Sequence, residues 1–272
     1  MKYETLHNQR IQKIGFGTWS IGGGMSPDPS RDARSLVALR SALKIGYTHF
    51  DTAEMYASGH SEELLGQAVR ESGIPRKELF ITSKVSASHL RYDDLLNSLE
   101  NSLCHLGMDY LDLYLIHWPS RGIPLKETFR ALNQLVREER VRHLGVSNFD
   151  VELMKQAQVE SETPIFTNQV PYSLEDRSYV RNGVLEYCQA NDILLTAYSP
   201  VEEGRLRLSP VMQTIAGLHD ATPYQIALAW LVSQPRVITI PMSFNPEHIA
   251  ENFAAAEIEL SAEEMEQLNQ LA

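Results

Sequence analysis

Cysteine is close to absent from this chain. Cys104 and Cys188 are the only two in 272 residues, and each falls in a stretch of helical spacing, so no disulfide framework is indicated and a reducing compartment is expected. Positive charge is scarce as well. Lys and Arg number 24 against 35 Asp and Glu, a formal net charge of −11 that a nucleic acid or an anionic membrane surface would repel, so neither is expected as a partner. No apolar run reaches membrane-spanning length, and Met1-Lys2-Tyr3-Glu4-Thr5 lacks the apolar core of a signal peptide, so a cytoplasmic protein is expected. Linkers and low-complexity tracts are missing, Ser26-Pro27-Asp28-Pro29-Ser30 being too short to separate domains. Residues 1–272 therefore read as one domain. The chain also lacks a dinucleotide fingerprint, because Gly15-Phe16-Gly17 has no third glycine at the required spacing and no helix opening directly after it. No His-x-His pair occurs, and the last strand-like run ends in Ile240-Pro241-Met242 without a carboxylate, so no metal site is expected.

What the chain does have is regular alternation. Short β-rich runs at residues 14–19, 47–51, 79–84, 110–117, 141–147, 165–170, 193–199 and 237–240 are separated by helical spacing at 31–45, 61–72, 92–106, 126–139, 151–158, 176–191, 222–233 and 246–256. Strand-helix alternation implies a parallel sheet, and eight such units are the number that closes into a (β/α)8 TIM barrel, which commonly takes roughly 250 residues. The first fourteen residues alternate around His7-Asn8-Gln9, which predicts an N-terminal β-hairpin plugging one end of the barrel. Residues 261–271 open with Ser261 and Glu264 at capping-box spacing and read as an extra C-terminal helix.

Chemistry gathers at three successive strand ends. Tyr47-Thr48-His49-Phe50-Asp51 closes on a carboxylate, with Tyr56 five residues on in the strand-to-helix loop. A phenol is a poor acid at neutral pH, its unperturbed pKa being about 10, and it needs a nearby cation to lower that value. Lys84 ends the next strand, where Asp51 would hold it charged, and His117 ends the one after. Taken singly, Asp51 reads as a helix cap, Tyr56 as core and His117 as a structural histidine. Burying all four together without a function would be costly.

Phe50-Asp51-Thr52-Ala53-Glu54-Met55-Tyr56, Thr82-Ser83-Lys84, Ile116-His117-Trp118-Pro119, Gly145-Val146-Ser147-Asn148-Phe149 and Ile240-Pro241 together resemble, in order and along nearly the whole chain, the signatures of the aldo-keto reductases. The resemblance implies NAD(P)H-dependent reduction of aldehydes or ketones, with Asp51, Tyr56, Lys84 and His117 as the catalytic set and Tyr56 as proton donor. Ser147, Asn148 and Gln169 match side chains that hold the nicotinamide carboxamide, and Tyr198 the aromatic that stacks on the ring. Further matches fall on Thr18 and Trp19, on Ser199, Pro200 and Val201, and on Ile240. Ser243, Glu251 and Asn252 match residues around the adenosine. Trp19 and Trp118 match substrate-pocket walls beside Tyr56 and His117, whereas Trp230 reads as core. Many relatives grip the 2′-phosphate of NADPH with a lysine and an arginine where this chain has Met242 and His248, so use of either NADPH or NADH is expected.

The segment after His117 is short and the chain stops just past its last helical pattern, so an open substrate pocket is also expected. Two other functions fit parts of the pattern: a Schiff-base barrel aldolase using Lys84, which a neighbouring Asp51 opposes, and a reductase-like subunit that senses redox state or serves as an interaction module. Nothing in the chain speaks to oligomeric state.

Overall fold

The computed structural model describes residues 1–271; Ala272, the end of the expected domain, lies outside the described residues. The chain opens with an antiparallel hairpin, β1 (Tyr3–Leu6) and β2 (Gln9–Gln12). Its two turn residues, His7 and Asn8, have φ of 48° and 63°. Two consecutive left-handed residues match the right-handed twist of paired strands.

Eight strands then form one parallel sheet in sequence order. They are β3 (Phe16–Gly17), β4 (His49–Asp51), β5 (Phe80–Val85), β6 (Leu111–Ile116), β7 (Val141–Ser147), β8 (Ile165–Pro171), β9 (Leu194–Tyr198) and β10 (Val237–Thr239). The edges meet: Gly15 N donates to Thr239 O at 2.8 Å, Thr239 N to Lys13 O at 2.8 Å and Gly17 N to Pro241 O at 3.2 Å. Strands β4, β5 and β6 are buried along their full length, as a sheet covered on both faces requires. The interior floor consists of Leu6, Ile11, Phe80, Leu113, Leu115, Phe166, Leu194 and Ile238, so the hairpin closes the barrel by burying Leu6 and Ile11 against it. A larger core fills the space between sheet and helices.

The outer layer is α1 (Asp32–Ile45), α2 (His60–Ser72), α3 (Tyr92–Leu106), α4 (Leu125–Arg137), α5 (Val151–Glu160), α6 (Ser178–Arg181), α7 (Val184–Ala190), α8 (Pro210–Leu218), α9 (Pro223–Ser233), α10 (Pro246–Ala254) and α11 (Ala262–Asn269). The fold is the expected (β/α)8 barrel with its hairpin and extra terminal helix. Among the described residues, no helix is long and apolar enough to cross a membrane.

Three local expectations need correction. Residues 176–191 are not one helix: Gly183, at φ 83°, ends α6 and starts α7. Helix α8 was not anticipated; Ser209 caps it by accepting from Met212 N at 3.2 Å. The first barrel strand, expected over 14–19, is only two residues long: Ile14 meets Thr239 in an isolated bridge, and Thr18 N makes the last bond to β4, donating to Asp51 O at 2.9 Å, before the chain enters the loop. The box expected at Ser261 and Glu264 is present, and Trp230, 1% exposed, donates to Asn269 Oδ1 at 2.9 Å and so anchors α11.

Candidate active site

Asp51 is the last residue of β4 and Lys84 lies near the end of β5, their side chains 2% and 0% exposed. Parallel register sets Asp51 opposite Thr82, two residues below Lys84, so the long lysine chain reaches back toward the carboxylate. Lys84 Nζ donates to Asp51 Oδ1 at 2.5 Å, to Thr52 O at 2.7 Å and to Tyr56 OH at 3.4 Å. One ammonium thus spends two donors on fixed partners and directs the third to the phenol. The other oxygen of Asp51 accepts from Gln169 Nε2 at 2.8 Å. Tyr56 opens a 3-10 turn whose next two residues, Ala57 and Ser58, hold φ of 49° and 51°, left-handed values that cost non-glycine residues energy. The turn is pinned by Ala57 N to Gly24 O at 2.7 Å and Ser58 Oγ to Met25 O at 3.1 Å.

Burial is the largest influence on Lys84 and pulls its pKa down, but the charge of Asp51, then Tyr56 and the hydrogen bonds to both, leave it raised overall. The ammonium stays charged. For Tyr56 the sequence-based expectation of a lowered pKa needs correcting. Burial raises it, Lys84 lowers it and Asp51 raises it again, and the sum lies above the ordinary value. Before anything binds, the phenol is a protonated group poised beside a cation. His117 is lowered to about 3 by burial and then by Lys84, so its imidazole is neutral. Its Nδ1 is buried and has no hydrogen-bond partner among the described residues. Its ring meets Tyr56 edge-on at 5.7 Å, and Trp19 meets Tyr56 edge-on at 5.1 Å.

These groups face a cavity of about 480 Å³ at the carboxyl ends of the strands. Asp51, Tyr56, His117, Trp19 and Trp118 line it, with both indoles partly exposed at the rim. Thr18, Ser147, Asn148, Gln169, Tyr198, Ser199, Pro200, Val201, Ile240 and Met242 line it too. Lys84 lies beneath, behind Tyr56. Asn148 joins several of them: its Nδ2 donates to His117 O at 3.1 Å and to Ser147 Oγ at 2.9 Å, while its Oδ1 accepts from Tyr198 OH at 3.0 Å. Ser243, His248, Glu251 and Asn252 do not line the cavity; they sit after β10 and along α10, with His248 exposed.

Several lining residues escaped sequence reasoning, among them Gly17, Met55, Glu203 and Phe244. Gly17 and Met55 carried a signal, each directly preceding a site residue, Thr18 and Tyr56. A Cβ on Gly17 would meet Ile240 O at 2.6 Å, so the seam where the barrel closes admits no side chain. The Gln169–Asp51 bond was also invisible, since it joins residues from opposite sides of the barrel.

A parallel eight-stranded barrel carrying a buried Asp-Lys pair aimed at a tyrosine, beside a neutral histidine, defines a class of carbonyl-handling enzyme. The family model described as the Aldo/keto reductase family matches residues 13–272, and the chain belongs to that family. A crystal structure of a thermostable aldo-keto reductase solved with the inhibitor epalrestat is 49% identical, covers 100% of both chains and has a TM-score of 0.96. Methylglyoxal reductase YeaE of Escherichia coli is 36% identical over 95% of this chain and 90% of its own. An aldo/keto reductase from Klebsiella pneumoniae, solved with NADP and acetate, is 37% identical over 98% of this chain and 93% of its own, with a TM-score of 0.88.

Proposed function

We propose that the chain, working as one domain in the cytoplasm, reduces small aldehydes or ketones to alcohols, with Tyr56 as proton donor. Dicarbonyls such as methylglyoxal, which the Escherichia coli relative's name specifies, are the first candidates. The observation that carries this reading is the Lys84 ammonium, fixed by Asp51 and Thr52 O and placed 3.4 Å from the Tyr56 hydroxyl.

The cavity fits a nicotinamide cofactor on its donor chemistry. Ser147, Asn148 and Gln169 supply the mixed donors and acceptors a carboxamide needs, and Tyr198 borders the same space as a flat ring. When bound, a reduced nicotinamide supplies the hydride. Tyr56 then gives its hydroxyl proton to the substrate oxygen, where negative charge develops. Lys84 stabilises the phenolate left behind, and Asp51 keeps Lys84 charged. His117, neutral across the physiological range, can donate one hydrogen bond to the substrate oxygen without competing as an acid. Trp19 and Trp118 offer flat apolar walls and help exclude water.

Cofactor choice follows from Met242 and His248. Neither residue supplies a permanent cation, and each charge-assisted hydrogen bond missing from a 2′-phosphate forgoes roughly 1.5–3 kcal/mol. NADH is therefore expected to compete with NADPH. Steady-state reduction of methylglyoxal followed by nicotinamide absorbance, with each cofactor in turn, tests both parts. No turnover across an aldehyde panel would overturn the activity, and an NADPH preference of roughly a thousandfold or more would overturn the cofactor argument.

A further inference from the structure

One fully buried carboxylate outside the cavity has no part in the chemistry above. Glu62 lies in the first turn of α2, 0% exposed. Its Oε1 accepts from Ser83 Oγ at 2.6 Å and its Oε2 faces His105 Nδ1, on α3, at 3.3 Å. A buried acceptor is costly unless its bonds are made, and here both oxygens are engaged. The two partners lead to the two halves of the proton-donating centre. Ser83 is the residue before Lys84 on β5, on the opposite face of the strand. The His105 ring lies under Gly59, the residue that closes the turn begun by Tyr56; a Cβ there would meet it at 2.4 Å. The preceding helix residue, Ser61, is equally buried. It donates to Thr18 Oγ1 at 3.0 Å and accepts from Thr52 Oγ1 at 3.5 Å, and the carbonyl of Thr52 is the one that Lys84 binds.

The 3.4 Å between Lys84 Nζ and Tyr56 OH spans two separate elements, a strand and a left-handed turn. An apolar side chain would fill the Glu62 space at less cost in desolvation but would give neither element a directional partner. We infer that Glu62 is a positioning residue for the proton-donating centre, tying the strand that carries Lys84 to the turn that carries Tyr56 through Ser83 and His105. This rests on Tyr56 being the proton donor.

The test compares Glu62→Ala, Glu62→Gln and Ser83→Ala with Tyr56→Phe, reading kcat, KM, pH profile and cofactor dissociation constant in the full chain. Misplacing the centre should lower kcat of Glu62→Ala about 10- to 100-fold, with KM and cofactor affinity nearly unchanged and the alkaline limb of kcat displaced. Glu62→Gln, which keeps an oxygen for Ser83, should recover most of kcat, and Ser83→Ala should fall between. Should Glu62→Ala not fold, the other two variants decide. Unchanged kcat in Ser83→Ala and the Glu62 variants overturns the positioning role, as does an equal loss in Ala and Gln with an unmoved pH profile. Full activity of Tyr56→Phe overturns the reading of the site itself; an inactive Tyr56→Phe beside unimpaired Glu62 variants overturns the positioning role alone.

Discussion

The two ends of the barrel are built from the same kinds of residue and do different things. At the hairpin end, Asp112 is buried at the start of β6. It meets Arg76 Nη1 at 2.7 Å and Arg142 Nη1 at 2.9 Å, and accepts from Ile81 N at 2.9 Å. Both guanidinium groups lie over the face of Tyr110, at 4.2 Å and 4.1 Å. At the cavity end, Asp51 meets Lys84, which points its remaining donor at the hydroxyl of Tyr56. Each end also has histidine held neutral: buried His49 and half-buried His143 at the hairpin end, lowered to about 4, and buried His117 at the cavity end, lowered to about 3, chiefly by desolvation. The difference lies in the cation and in what the phenol presents. The arginine forks at the hairpin end lie against the Asp112 carboxylate, backbone carbonyls and the Tyr110 ring, and neither points a donor at a phenol hydroxyl. Lysine is a point charge with a donor to spare, and the ring beside it offers its hydroxyl, 3.4 Å from Lys84 Nζ, as well as its face, whose centroid is 4.9 Å away. Composition therefore does not distinguish a clamp from a reaction centre; unsatisfied geometry beside a cavity does.

That contrast can be broken most directly at the phenols. Tyr56→Phe should cost about 10²–10⁴-fold in kcat while leaving cofactor affinity almost unchanged, whereas Tyr110→Phe should leave kcat alone. Steady-state kinetics with cofactor titration checks both, and equal losses would erase the distinction. The cations come next. Lys84→Met leaves Asp51 buried without its counter-charge, so it should abolish most activity and destabilise the fold by about 3–5 kcal/mol. Arg76→Met leaves Asp112 its second arginine and should cost about 1–3 kcal/mol with little change in kcat. Denaturant unfolding beside activity separates the two.

The smallest effect concerns the histidines. Their folded pKa values lie below the unfolded value of about 6.5, so the unfolded chain binds protons first as pH falls. Their contribution to stability is present above about 6.5 and is lost toward the folded values near 4 and 3. His117→Gln should flatten the acid-side slope of unfolding free energy, and so should His143→Gln; only the former should also impair turnover. An unchanged slope in both variants would show that the histidines are not held neutral by the fold.

The alternation of strands and helices, the hairpin around His7 and Asn8 and the box at Ser261 were legible from the chain alone, because periodicity, turn residues and caps act over a few neighbours. So was the grouping of Asp51, Tyr56, Lys84 and His117, since strand ends in a parallel barrel share one rim. The break at Gly183 was not, being masked by the helical spacing on either side, and the short helix α8 was missed although Ser209 and Pro210 mark its start, because it falls inside a strand-to-helix connection. Which way the Tyr56 pKa moves also could not be read from adjacency to Lys84, because burial outweighs a single charge and burial belongs to the whole packed structure. The same holds for Gln169 against Asp51, for Gly17 against Ile240 O and for Glu62 between Ser83 and His105. By itself the sequence determined the repeating units and the residue types at their ends. Tertiary structure alone decided which distant groups share a hydrogen bond and which are shielded from water, because both depend on barrel closure bringing residues far apart in the chain within a few ångströms.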